Sequence, residues 1–189
     1  KEKDPGSVVG TKLRVLKYPN PLLRAKNLPV TNFDENLANI TKQLLLIMYA
    51  ADGIGLAAPQ VGINQRIMVF NPNAGHAIKS YEKQSERVMI NPIITEKSTD
   101  IELGEEGCLS FPNIYAMINR NIWINVKYFT IDGEIQSERI EGYPAVVFQH
   151  EYDHLDGILF IDHMNSDDKE KNHKLLRNLI YKYGPKGAL

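Results

Sequence analysis

Cysteine and tryptophan are almost missing from this 189-residue chain, which contains one of each. A single thiol, Cys108, cannot close an internal disulfide, so the chain does not depend on a disulfide scaffold and suits a reducing compartment. A lone cysteine is most often a small buried hydrophobe, but its thiolate is also a soft metal ligand. Composition alone leaves both roles open for Cys108.

The chain also lacks a surplus of charge of one sign and any long apolar run. Its formal net charge is −1, so no basic field favours nucleic acid as a partner. Residues 44–51 are apolar but fall short of the roughly 18 residues that cross a bilayer, so we expect no membrane partner. A chain of this length with 43% hydrophobic residues can bury a substantial core, and we expect one domain over residues 1–189.

The sequence begins without methionine and without a signal-type apolar segment. Residues 1–10 are polar and contain glycine, so we expect a flexible lead-in there. We also expect that any targeting segment has been removed. This start, with a composition rich in Lys, Asn and Ile, favours a processed organellar protein.

Apolar periodicity predicts an α+β fold. Residues 32–51 repeat apolar side chains at helical spacing and predict a long first helix, with Asn32 and Glu35 as a capping box. Residues 167–183 predict a terminal helix that carries Leu175 on its apolar side. Strands are predicted at residues 66–70, 87–97, 121–131 and 134–141. We therefore expect mixed, mostly antiparallel sheets around a central helix, with helices at both ends of the chain.

A histidine pair marks the predicted central helix. His150 and His154 stand four residues apart, with Glu151 directly after the first. Residues at positions i and i+4 share a helix face, so two imidazoles can hold one metal ion and the glutamate can reach a water beside it. Pro144 suits the first turn of this helix and Gly157 a left-handed stop after its end. The pattern also occurs in helices that bind nothing, and a tetrahedral site needs a third protein ligand.

Two further stretches stand out, GIGLAAPQ at residues 53–60 and EGCLS at residues 106–110. Glycine lets a backbone approach a ligand closely, although a tight connector between elements explains the first stretch equally well. Together with QHEYDHLDG at residues 149–157, they resemble the three signature motifs of peptide deformylase, in the same order and with similar separations. The resemblance covers the chain from about residue 18 to the last helix.

The resemblance implies a metal-dependent hydrolase that removes the formyl group from the N-terminal formyl-methionine of newly made proteins and releases formate. It implies that Cys108, His150 and His154 are the metal ligands and that Glu151 is the general acid and base. One divalent metal is expected, with Fe(II) as the native ion. The ligand set itself does not choose between iron, zinc, nickel and cobalt.

The resemblance also implies how the peptide is held. The Gln60 side chain and the Leu109 backbone N–H would bind the formyl oxygen, and the Gly55 backbone would pair with the peptide. A methionine side chain needs a flexible apolar slot, which residues close in sequence to the catalytic groups can form. The candidates for this slot are Ile54, Tyr143, Val146 and Val147.

The implied partners are N-formyl-methionyl nascent peptides, which the protein would bind near the ribosome. We expect it to act as a monomer and not to read nucleic acid directly. The implied compartment is one with bacterial-type translation: a plastid-type organelle or mitochondrion, otherwise the bacterial cytoplasm. Tyr115 departs from the family pattern, because several bacterial members carry a basic residue there, near the mouth of the site. This departure puts in doubt how residues after the methionine are held. By analogy, Arg120 and Glu106 are expected to form an ion pair beside the ligands.

Two alternatives remain open. Zinc peptidases with an H-E-x-x-H helix take their third ligand downstream; Glu170 is the carboxylate in a helical context there, and Phe160 occupies the place of a third histidine. A metal-binding module without turnover is the second alternative. Three histidines lie outside the motifs: His163 is expected to be structural, and His76 and His173 to be solvated.

Overall fold

The computed structural model describes residues 8–74 and 85–185. The helices are α1 (Glu35–Ala50), α2 (Tyr143–Leu155) and α3 (Ser166–Tyr183). The strands are β1 (Gly55–Ala57), β2 (Ile67–Phe70), β3 (Arg87–Lys97), β4 (Ile101–Cys108), β5 (Phe111–Asn121), β6 (Trp123–Phe129) and β7 (Ile135–Glu141). The α+β prediction is confirmed. Most of the predicted lead-in and His76 lie outside the described residues.

The strands form two antiparallel sheets. One has five strands in the order β1-β2-β3-β6-β7, and the other is the β4–β5 hairpin. Among the described residues the one parallel pairing is an isolated bridge between Leu28 and Gln65, so the prediction of mostly antiparallel pairing is confirmed. The register of β3 against β6 shifts between Ile90 and Ile93, around Pro92, because proline has no N–H to donate to the ladder.

The sequence patterns did not predict the β4–β5 hairpin. Along β5, Ile114, Ala116 and Ile118 are buried, while the residues between them are exposed. Two of those exposed residues, Tyr115 and Met117, are themselves largely apolar. The alternation of apolar and polar residues that marks a half-buried strand is therefore hidden.

The predicted start of the first helix was wrong by three residues. Helix α1 begins at Glu35, because the Asp34 carboxylate accepts a hydrogen bond from the Leu37 N–H at 3.0 Å and caps the helix. Asn32 therefore lies outside the helix. In α3, Leu179 is buried, whereas Leu175, which was predicted on the apolar side, is 40% exposed.

Helix α2 lies between the two sheets. It contacts β1 and β2 of the larger sheet and β5 of the hairpin. Pro144 lies in its first turn, and Gly157 follows its end with φ +71°, as predicted. Phe148 packs edge-on against Phe70 of the large sheet. Within the described residues, no helix is long and apolar enough to cross a membrane.

Candidate active site

One sulfur and two imidazoles meet where α2 faces the end of β4. The ligand atoms of Cys108, His150 and His154 all lie within 4.8 Å of one another, and all three side chains are buried. Cys108 Sγ and His154 Nε2 are 3.3 Å apart. The sequence separation of more than 40 residues between Cys108 and the histidines is closed by the β4–β5 hairpin, which lays the end of β4 against α2.

An ion-pair network fixes the first histidine of the pair. The His150 Nδ1 lies 2.8 Å from Glu106 Oε2 and donates to it, which leaves Nε2 for a metal. Arg120 binds both Glu106 oxygens, at 2.7 and 3.0 Å, so the pair expected by analogy is confirmed. Arg120 also donates to Asp153 at 2.6 Å, and His163 Nε2 lies 2.9 Å from the same carboxylate.

Charges in this cluster favour a cation. Burial would raise the pKa of Glu106, but hydrogen bonds from His150 and Arg120 outweigh it and lower that pKa to about 2. Burial would lower the pKa of His150, yet hydrogen bonds with Cys108 and Glu106 raise it well above its usual value. The pKa of His154 is well below its usual value because of burial and the charge of His150.

The donor set suits a divalent metal. The Cys108 thiolate would supply negative charge to a bound dication, and Glu106 supports it through its contact with His150. Neutral imidazole and thiolate are ligands for borderline ions such as iron, zinc, nickel and cobalt. Three protein ligands would leave a position for water, which is the pattern of catalytic rather than structural sites.

Glu151 is the carboxylate beside the cluster. It is buried, and burial raises its pKa to about 7. Among the described residues, its Oε2 and His154 Nδ1 are the buried side-chain polar atoms without a hydrogen-bond partner. The backbone of Gly55 lies against Glu151, since a Cβ at Gly55 would come within 2.5 Å of Glu151 Oε1.

Gln60 reaches the cluster from the short helix Ala58–Val61. Its Oε1 accepts from the Ala57 N–H at 2.8 Å, which turns Nε2 toward the site, 3.6 Å from Cys108 Sγ. Nε2 also lies 3.3 Å from Ser110 Oγ, a contact that sequence reasoning missed. Leu109 lines the site, and its carbonyl accepts from Lys17 Nζ at 2.8 Å.

A cavity of about 290 Å³ opens onto these groups. It is lined by Cys108, His150 and Glu151. All the residues proposed from the sequence for peptide binding also line it, namely Ile54, Gly55, Tyr143, Val146, Val147, Gln60 and Leu109. Tyr115, the departure from the family pattern, also lines the cavity, as do Glu105 and Asp52.

The end of α2 is held by groups that sequence reasoning missed. The buried Asn27 side chain donates to the carbonyls of His154 and Leu155, at 3.1 and 3.0 Å. Arg66 donates to the Leu155 carbonyl and pairs with Asp156 at 2.6 Å. Satisfied carbonyls fix the last turn of the helix, and with it the position of His154. These residues follow no local pattern that points to α2.

The structure does not support Glu170 as the third metal ligand that the peptidase alternative requires. Glu170 is exposed on α3 and does not belong to the Cys-His-His cluster. His163 is bound to Asp153 and His173 is exposed, as predicted for both.

The sequence matches the family model of polypeptide deformylase over residues 12–170. A chloroplastic peptide deformylase 1B of Oryza sativa is 44% identical over 171 residues, which are 90% of this chain and 62% of that protein. A peptide deformylase of Thermotoga maritima is 45% identical over 152 residues, which are 80% of this chain and 87% of that protein. The chain spans about 62–64% of the length of its plant relatives from rice and Arabidopsis thaliana.

Solved structures agree with the sequence match. A peptide deformylase of Plasmodium falciparum superposes with a TM-score of 0.85 at 41% identity, covering 90% of this chain and 96% of that one. The plant peptide deformylase 1B of Arabidopsis thaliana gives a TM-score of 0.86 at 42% identity, with 94% of each chain covered. With its family model, its relatives and its fold in agreement, the chain belongs to the polypeptide deformylase family.

Proposed function

We propose that the protein removes the formyl group from the N-terminal formyl-methionine of newly made chains and releases formate. The observation that carries this proposal is the buried Cys108, His150 and His154 cluster beside Glu151, at the end of a cavity. The family match supports the same activity.

A divalent metal would be held by Cys108 Sγ, His150 Nε2 and His154. When bound, it supplies a Lewis acid and lowers the pKa of water toward about 7. Fe(II) is proposed as the native ion, with zinc, nickel or cobalt as substitutes in purified protein. Glu106, held by Arg120, fixes the His150 ring for this purpose.

Glu151 is proposed as the general acid and base. Its pKa of about 7 lies close to neutral pH, where a carboxyl group can both take and give a proton. Its Oε2, without a hydrogen-bond partner in the described residues, is the atom that would accept the proton of the attacking water. The same carboxyl would then pass the proton to the leaving amine of methionine.

Gln60 and Leu109 are proposed to stabilise the negative charge that develops on the formyl oxygen. Gln60 is buried, and the Ala57 N–H fixes its amide, so Nε2 is oriented before substrate arrives. The Leu109 N–H would be the second donor. Loss of one such preorganised donor costs about 3 kcal/mol of transition-state stabilisation.

The peptide is proposed to bind as an added strand along β1. This strand is at the edge of its sheet and pairs with β2 on one side only, so the Gly55 backbone borders the cavity. The methionine side chain would enter the slot formed by Ile54, Tyr143, Val146 and Val147.

Formylated chains are made by bacterial-type ribosomes, so we place the protein near such ribosomes, acting as a monomer. The plant relatives are named chloroplastic or chloroplastic/mitochondrial, and other relatives are bacterial. This supports a plastid-type organelle or mitochondrion, otherwise a bacterial cytoplasm.

The test is to purify the protein without oxygen, load it with iron or nickel, and incubate it with formyl-Met-Ala-Ser. We expect stoichiometric release of formate together with the free amine of Met-Ala-Ser. Metal-loaded protein that releases no formate would refute the proposed activity.

A further inference from the structure

The β4–β5 hairpin exposes several large apolar side chains. From residue 114 to residue 120 of β5 the even-numbered residues are buried and the odd-numbered ones exposed. On β4, Glu106 and Cys108 are buried, whereas Ile101, Leu103 and Glu105 are exposed. The exposed fractions of its four large outward apolar residues are Ile101 58%, Leu103 52%, Tyr115 43% and Met117 37%. We define the hairpin face as these four residues with Glu105 and Asn119.

The strand register brings these side chains together. Leu103 stands opposite Asn119, and Glu105 stands opposite Met117. Side chains that are opposite or diagonal across two strands are within contact range, so the apolar groups form one continuous surface. Continuous exposed apolar surface marks a binding site more often than scattered apolar residues do.

The hairpin face begins where the cavity ends. Tyr115 and Glu105 belong to the hairpin face and also line the cavity. From Gly107, opposite Tyr115, to Ile101 is six residues along β4, or about 20 Å at ~3.3 Å per residue. An extended peptide that leaves the cavity at Tyr115 can cover this distance with about six residues.

The open edge of β5 offers no alternative for such a peptide. Helix α3 covers it: the Asp168 carboxylate accepts from the Met117 N–H at 3.1 Å, and Asn172 donates to the Tyr115 carbonyl at 2.8 Å. A chain that leaves the cavity past β5 therefore meets side chains rather than an unpaired strand edge.

We infer that the hairpin face is a continuation of the substrate site, which binds the nascent chain from about its fourth residue onward and favours apolar side chains there. This inference rests on the proposed function. Because an extended chain turns alternate side chains to the same side, the preference applies to every second residue of the substrate.

The test compares two octapeptides. Formyl-Met-Ala-Ser-Leu-Ser-Val-Lys-Phe carries apolar residues at positions four, six and eight, and the matched peptide carries Ser at these three positions. We expect the wild-type kcat/KM to be about tenfold higher for the apolar peptide, through KM, since partial burial of two or three side chains gives about this factor. The ratio of the two values is independent of the active fraction of each preparation.

Two variants locate the effect. Leu103→Ser and Met117→Ser should each lower the ratio by about threefold, and the double variant should bring it close to one. Ile135→Ser is the matched control, because Ile135 is 56% exposed on β7, outside the hairpin and the cavity lining, and its ratio should equal that of wild type.

The outcomes separate this inference from the proposed function. A wild-type ratio near one, with formate released from both peptides, would overturn the inference and leave the activity intact. Absence of formate from both peptides would refute the activity itself. A wild-type dimer that Leu103→Ser converts to monomer, with no change in the ratio, would assign the hairpin face to a second copy of the chain and overturn the inference.

Discussion

At position 55 the site leaves no room for a side chain larger than that of glycine. A Cβ there would come within 2.5 Å of Glu151 Oε1, so Gly55→Ala must displace the carboxyl group. We expect kcat for formyl-Met-Ala-Ser to fall at least about tenfold, because a misplaced acid and base loses much of its contribution. Metal content should stay at the wild-type value.

Gly104→Ala is the control for that substitution. No atom lies within 4 Å of a Cβ built at Gly104, which is also in a strand. Its kcat should equal that of wild type. Equal kcat values for Gly55→Ala and wild type would contradict the placement of Glu151 against Gly55.

Glu106 is the second residue with a clear expectation. Glu106→Gln leaves buried Arg120 with Asp153 alone, so we expect a loss of about 3 kcal/mol in the free energy of unfolding, measured in urea. Metal affinity, measured by chelator competition, should fall about 10- to 100-fold, since His150 loses its anionic partner. Asp162→Asn breaks an exposed pair with Arg24 and should cost less than ~1 kcal/mol.

The stabilisation from Glu106 should depend on pH with a definite sign. Its pKa is about 2 in the folded protein, below the usual 4.5. The unfolded chain therefore takes up this proton first as pH falls, and the stabilisation is present above about pH 4.5 and lost between there and about pH 2. The stability difference between wild type and Glu106→Gln should shrink over that range, and a difference that grows instead would contradict the assignment.

Local spacing predicted His150, Glu151 and His154 because all three belong to one helix face. Cys108 came only from the resemblance of the whole motif set, since nothing local ties it to α2. The link from Arg120 to Asp153 and His163 was missed, because it joins two elements through side chains that are far apart in sequence. No sequence signal pointed to this link, because β5 was not predicted and the burial of Arg120 is seen only in the structure.

At the scale of elements, the N-terminus of α1 gives a direct test. Asp34→Ala should lower the free energy of unfolding by about 1 kcal/mol, because the Leu37 N–H loses its acceptor. Asn32→Ala, outside the helix, should change it by less than ~0.5 kcal/mol. Urea titration of both variants decides which residue caps the helix. A larger loss of unfolding free energy in Asn32→Ala than in Asp34→Ala would identify Asn32 as the cap.

The long helices could be predicted from their apolar sides, and four of the strands from short stretches rich in apolar or β-branched residues, although β2 is buried along its whole length. The β4–β5 hairpin could not, because Tyr115 and Met117 put apolar groups on its exposed side as well. Glu106 and Arg120 are buried on the inner side of the hairpin, whereas charged residues in a sequence usually indicate the solvent-exposed side of a strand. This made the hairpin harder to predict. The buried charged residues are part of the ion-pair network beside His150, and the exposed apolar residues form the hairpin face.

At the scale of the whole molecule, the metal should contribute to stability because it joins the hairpin to α2. Removal of the ion by a chelator under anaerobic conditions should lower Tm, since binding to the folded state alone stabilises it. Cys108→Ala should have a Tm that the chelator does not change.

Glu170→Ala is the matched control for the metal. Glu170 is exposed and lies outside the cluster, so this variant should keep its metal and show the wild-type chelator shift. If Glu170→Ala lost its metal while Cys108→Ala kept it, the result would contradict the proposed ligands and favour the ligand set of a zinc peptidase.

The most direct measurement is formate release and metal content of Glu151→Gln beside wild type, on the same anaerobic samples. The account predicts one metal ion per chain in both proteins, with formate released from formyl-Met-Ala-Ser by wild type and reduced at least about 100-fold in the variant. Formate release at the wild-type rate by metal-loaded Glu151→Gln would contradict a proton transfer through this carboxylate.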